Sequence, residues 1–119
     1  MHGADLSYAN LAGAVLSAAD LSDANLSGAN LRGADLRNVC LDDALLLVTD
    51  LTDANLEGAE MFDTFLVHAN LTRAKVSSED LAVAKSLAGA TVPDGTKQPA
   101  PTADDTRAMV NRHAGQDSA

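Results

Sequence analysis

Leucine, or a residue that can stand in for it, occupies every fifth position from Leu6 to Val76 without a slip. The series runs Leu6, Leu11, Leu16, Leu21, Leu26, Leu31, Leu36, Leu41, Leu46, Leu51, Leu56, Met61, Leu66, Leu71 and Val76. The residue two before each is Ala in twelve of the fifteen cases, with Val39, Thr49 and Thr64 as the exceptions. The residue between is Asp or Asn in nine of the fifteen, as at Asp5, Asn10, Asp20, Asn25 and Asn30. The unit is therefore Ala-(Asp/Asn)-Leu-x-x, and a strict internal repeat outranks every other local signal in deciding the fold.

Neither regular backbone suits that period. An α-helix turns about 100° per residue, so a step of five lands about 140° past a full turn and the leucines form no stripe. A flat strand alternates its side chains, so Leu6 and Leu11 would face opposite sides. The period survives only if the chain bends once per unit and resets the alternation. Asp and Asn suit the bend, because their short side chains reach nearby backbone. Gly13, Gly28, Gly33 and Gly58 all fall at the last position of a unit, where a turn is needed. A chain that bends regularly and always turns its Ala and Leu inward closes into coils, and stacked coils satisfy one another's backbone groups. The core is then narrow, one small and one medium side chain repeated. With 46 % apolar residues but only 3 % aromatics and no Trp, the composition agrees.

Runs such as Ala24-Asn25-Leu26-Ser27-Gly28-Ala29-Asn30-Leu31-Arg32-Gly33-Ala34-Asp35-Leu36 resemble the pentapeptide-repeat family, A(D/N)Lxx. The resemblance covers residues 4–78. It implies an all-β solenoid: a right-handed quadrilateral β-helix with four units per coil, hence just under four coils, roughly 18 Å long at the usual strand spacing.

The pattern changes after Val76. Ser77-Ser78-Glu79-Asp80 reads as a helix start, with an N-cap hydroxyl, acidic residues in the first turn and Asp80 at the capping-box position. A short helix over 78–86 is predicted, laid over the end of the last coil through Leu81, Val83, Ala84 and Leu87. Residues 87–95 read as a closing strand and turn ending in Pro93-Asp94-Gly95. The expected organisation is a leader at 1–3, the repeat at 4–78, a C-terminal cap at 79–95 and a flexible tail at 96–119, with weak helical character over 103–113.

The net charge is −9, which disfavours direct contact with nucleic acid or an anionic membrane surface. No segment is apolar for long enough to span a membrane, and residues 1–20 contain no Lys or Arg. A cytoplasmic location is expected. The single cysteine, Cys40, allows no internal disulfide, and it reads as a tolerated free thiol. A core filled by Ala and Leu leaves no cavity for a small substrate. The histidines are His2, His68 and His113, and no catalytic, P-loop, metalloprotease or dinucleotide motif is present. No enzyme activity, cofactor or metal site is expected.

The twenty-residue coil implied by the resemblance stacks outer positions in columns. Asp23, Asp43 and Asp63 form one column, and Asp20, Asp42, Glu60 and Asp80 lie on the same side. This acidic face is a candidate for imitating DNA phosphates or holding a cation, against the plainer reading of solvated charge. A second cluster is apolar: Leu45 stacks on Phe65 and Leu47 on Val67, with Phe62 on the adjoining face. All five are expected to point outward, covered either by the C-terminal segment or by a partner. The leading expectation is a non-catalytic module that presents a rigid surface to an unidentified protein or to a second copy as a homodimer. The alternative is an acidic DNA mimic acting on DNA gyrase or another topoisomerase, as some pentapeptide-repeat proteins do in protecting gyrase from quinolones. Those proteins resemble longer rods, usually dimers joined at their C-terminal ends.

Overall fold

In the computed structural model, which describes residues 2–96 and 98, each five-residue unit bends at the same place. The carbonyl at the leucine position accepts the N–H three residues on, as Leu6 does from Ala9 at 3.1 Å and Leu71 from Ala74 at 2.9 Å. The third residue of the turn has φ between 56° and 72° at every such position from Tyr8 to Arg73. A turn of type II requires this left-handed backbone. Gly13, Gly28, Gly33 and Gly58 adopt it freely, and five Asp or Asn residues tolerate it. Tyr8, Ala18, Val48, His68 and Arg73 adopt it too, against the clash of their Cβ with the following carbonyl. The ladder on either side imposes the conformation. Val48 is the worst suited, being β-branched, and its side chain is 65 % exposed at φ 57°. Val48→Asn is therefore expected to stabilise the protein by about 1 kcal/mol, read as a rise in thermal midpoint.

The middle position acts as the residue pattern suggested. All nine Asp and Asn residues there accept the backbone N–H two residues on, at 3.0–3.3 Å. Hydrogen bonds hold several of these carboxyls below their ordinary value of 3.8: from the Ser7 hydroxyl on Asp5, the Ser22 hydroxyl on Asp20 and the Arg37 side chain on Asp35. A carboxyl depressed on folding contributes stability that is present above its unfolded value and lost as pH falls through the folded one. Melting temperature should thus decline below about pH 4. An Asp5/Asp20/Asp35→Asn triple variant, which keeps the side-chain acceptors, should decline less. Equal acid sensitivity in the two proteins would contradict the assignment.

Parallel bridges join each middle position to the residue twenty on. One column runs Asp5, Asn25, Leu45, Phe65; others begin at Asn10, Val15 and Asp20. Four columns make four sides, as the resemblance implied. Each coil bonds to both neighbours: Asn25 N–H donates back to Ala4 O at 2.9 Å, and Leu26 N–H donates forward to Leu45 O at 2.7 Å. The interior is the Ala and Leu ladders. The leucines from Leu21 to Leu71 are fully buried, while Leu6, Leu11, Leu16 and Val76 are half-buried, having a neighbouring layer on one side. Two buried threonines take alanine positions. Their hydroxyls donate to carbonyls of the preceding coil, Thr49 to Leu26 O at 2.8 Å and Thr64 to Leu41 O at 2.7 Å, so neither polar atom is orphaned.

The helix α1 spans Ser78–Ala82, with the Ser77 hydroxyl accepting from Asp80 N–H at 3.1 Å. It is shorter than the expected 78–86. Asp63 N–H donates to Val83 O at 3.0 Å, Lys85 N–H donates to Thr64 O at 2.8 Å and Ser86 O accepts from Leu66 N–H at 2.9 Å, so the coil ladder captures the chain from Val83 onward. The unit pattern then resumes. Ser86 pairs with Phe65 and Thr91 with Asn70, twenty-one residues apart instead of twenty. Leu87 and Ala90 close a turn at 2.9 Å with Gly89 at φ 69°. The single extra residue in the α1 segment puts these units one position out of step with the series ending at Val76. Fives counted from Val76 land on Leu81, Ser86 and Thr91, and the resumption goes unseen. Most of the tail assigned to 96–119, and the helical character at 103–113, lie outside the described residues. Among the described residues, no helix is long and apolar enough to cross a membrane.

Candidate functional site

The acidic residues fall in neighbouring columns of the coil. Asp20, Cys40 and Glu60 form one bridged column. Beside it, Asp23, Asp43 and Asp63 each take the left-handed turn position. Their N–H groups donate to the next coil, Asp23 to Asp42 O at 2.9 Å and Asp43 to Phe62 O at 3.0 Å. Asp63 N–H donates to Val83 O at 3.0 Å, which brings the residue after α1 onto the same face. The Asp42 carboxylate accepts Phe62 N–H at 2.9 Å. His2 reaches one end of the face, with Nε2 3.7 Å from Asp23 Oδ2. The arginine pairs lie elsewhere: Arg37 with Asp35 at 2.8 Å, Arg73 with Asp53 at 2.8 Å and Arg32 with Asp50 at 3.6 Å.

Cys40 lies in this face with its sulfur and oxygens of Asp42 and Glu60 all within 4.8 Å of one another. Burial pushes the thiol up, and the negative charges of Asp42 and Glu60 add to the rise. It stays protonated at neutral pH and donates to Glu60. A protonated thiol is not an activated nucleophile.

The apolar cluster is mostly covered. Leu45 and Phe65 are each only 3 % exposed and Val67 is 5 % exposed, although all three occupy outward positions of the coil. Leu47 is half-buried, and Phe62 alone is open, at 61 %. Burial within one copy of the chain means that no partner is needed to cover Leu45, Phe65 and Val67. The repeat says which way a side chain faces; it says nothing about what lies over it. Val83, expected to lie over the end of the last coil, is instead 46 % exposed and lines an open groove with Phe62. It follows Phe62 by twenty-one residues, the same offset as Ser86 from Phe65, so a count of twenty does not find it.

A four-sided solenoid with a filled core and patterned outer columns defines a class: repeat proteins whose chemistry is carried by their surface. The pentapeptide-repeat profile matches residues 1–38 and 40–77, in eight copies. This chain belongs to the pentapeptide-repeat family, a non-catalytic structural family of right-handed β-helices. It is similar to a pentapeptide repeat protein from the Arabidopsis thaliana thylakoid lumen, with 30 % identity and a TM-score of 0.61 over 92 % of this chain and 75 % of that one. It is also similar to Rfr23 from the cyanobacterium Cyanothece 51142, with 26 % identity and a TM-score of 0.51 over 61 % of this chain and 77 % of that one. QnrB1, a plasmid-mediated fluoroquinolone resistance protein, shares the fold at 22 % identity and a TM-score of 0.50, over 72 % of this chain and 47 % of that one. No curated protein matches the sequence.

Proposed function

We propose that this chain is a rigid, non-catalytic scaffold that binds a protein partner through its acidic outer face. The observation that carries the reading is the gathering of Asp20, Asp23, Asp42, Asp43, Glu60 and Asp63 on one side of the rod. The backbone ladder holds them there, so their mutual repulsion is sustained by the fold. In this reading residues 4–78 are the presenting body of just under four coils. Residues 79–95 are a cap, with α1 and Leu81 covering the ladder beside the last coil and keeping the rod from growing end to end. An Asp23/Asp43/Asp63→Asn triple variant tests it. A protein retained by the wild-type chain and lost by the triple variant supports the acidic face. Identical retention by both sinks it.

The second reading is a polyanion mimic that acts on DNA gyrase. The regular stacking of Asp23, Asp43 and Asp63, one per coil, favours it. The likeness to QnrB1 adds only the fold. A supercoiling assay with and without a quinolone distinguishes the two. Inhibition or drug protection that disappears in the triple variant supports the mimic. No effect at concentrations well above that of the enzyme removes it and leaves the scaffold.

A further inference from the structure

The groove between the Met61 turn and the end of α1 has an unusual composition for an open surface. Its volume is ≈ 350 Å³, and Phe62 and Val83 form its apolar walls over a buried Met61. Asp42, Glu60 and Asp80 are its charged lining, and among the described residues no Lys, Arg or His lines it. Among the described residues, the ion pairs of the chain fall on Asp23, Asp35, Asp50 and Asp53, and none falls on these three carboxylates. An exposed phenyl ring ringed by carboxylates is poorly solvated as an apolar surface and negatively polarised as a charged one. Both features suit the same occupant, a flat cation. A guanidinium can lie on the ring face while its N–H fork reaches a carboxylate, a combination that a compact ammonium reproduces less well.

The geometry points to this groove as the seat of an arginine side chain from a basic segment of a partner protein. The assignment rests on the reading of the acidic face as a protein-binding surface, and it names the chemistry that face selects. Charge complementarity decides the occupant. A second copy of this chain carries −9 and would bring like charge to the groove. Phe62 supplies the stacking surface, Val83 adds apolar lining, and Glu60 and Asp80 supply the charge. Asp42 is tied by its bond to Phe62 N–H and holds the turn that presents the ring.

A hexa-arginine peptide titrated into the full chain, followed by calorimetry and by backbone amide shifts, tests the assignment. Hexa-citrulline serves as the uncharged match in shape. Shifts are expected at Phe62, Asp80 and Val83 with the arginine peptide and not with the citrulline one. Glu60→Gln/Asp80→Asn and, separately, Phe62→Ser should each weaken binding by about five-fold. Asp5→Asn/Asp94→Asn changes the net charge equally and keeps the acceptor that each side chain offers its turn, so its binding should stay within about two-fold. Equal loss in the two double variants would overturn the groove while leaving the rod a binder of basic proteins. Equal binding of the citrulline peptide would remove the cation from the account. No binding of hexa-arginine to the wild-type chain would sink the basic-partner chemistry altogether, whatever the Asp23/Asp43/Asp63→Asn comparison returns. Circular dichroism of each variant separates lost binding from lost fold.

Discussion

Replacing Leu46 by Ala will lower the unfolding free energy by about 2–5 kcal/mol, whereas Leu6→Ala will cost less than half as much. Leu46 is wholly buried between two layers of the ladder, with Leu26 before it and Leu66 after it. Removing its side chain leaves a void that neither neighbour can fill, because the hydrogen bonds of adjacent coils hold their backbones at a set distance. Leu6 has a neighbouring layer on one side only and is already half-buried. Urea unfolding followed by far-ultraviolet circular dichroism measures both. Equal losses at the two positions would mean that the first coil is as tightly enclosed as the middle of the rod, contrary to its burial.

Enlarging the small ladder is expected to be as damaging as shrinking the large one. Ala54 is fully buried, and its N–H and carbonyl are engaged with Leu51 O and Lys75 N–H at 3.0 and 2.9 Å. Ala54→Leu adds three carbons to an interior where each unit contributes only one small and one medium side chain. The backbone bonds on both sides prevent the coil from widening, so the cost should reach about 1–3 kcal/mol or more. That is enough to lower the thermal midpoint by several degrees, at about 4–8 °C per kcal/mol for a body of this size. Val39 marks the limit of tolerance. It fills an alanine position and is fully buried, and it does so with two methyl groups in place of one. An Ala54→Leu protein as stable as the wild type would show that the coil can breathe.

The sequence was most informative where a residue's environment repeats. Leu26 and Leu46 meet the same neighbours one layer apart, so the series of fives marks the core without further knowledge. The Asp and Asn at the middle position were readable for the same reason: each accepts the backbone N–H two residues ahead. The left-handed turns were only partly readable. Glycine announces that backbone at Gly28 and Gly58, but Tyr8, Val48 and Arg73 adopt it with side chains that argue against it. Position in the unit overrides residue type there. Two features depended on events outside the repeat. The α1 segment carries one extra residue, and that slip hid the return of the five-residue unit at Leu87 and Val92, which read only as a closing strand and turn. The burial of Leu45 and Phe65, at outward positions of the coil, is not something a count of fives describes. The grouping of the six carboxylates on one face rested on the twenty-residue coil that the family resemblance implies. The groove beside Phe62 needed Val83, which only the fold brings to it.

The columns have a consequence for how such a chain can change in length. Because backbone bonds join residues twenty apart, twenty is the smallest insertion that leaves every later side chain on its original face. An insertion of that size adds one tier, about 4.8 Å, and lengthens the rod without rewriting it. An insertion of five keeps the core ladder intact but carries everything after it a quarter of the way round, so that the carboxylates of one face would meet the arginines of another. An insertion of one breaks the ladder unless a segment such as α1 absorbs it. Duplication of short tracts can therefore redraw the surface while the interior is preserved, and the rod's outer pattern can diverge much faster than its fold.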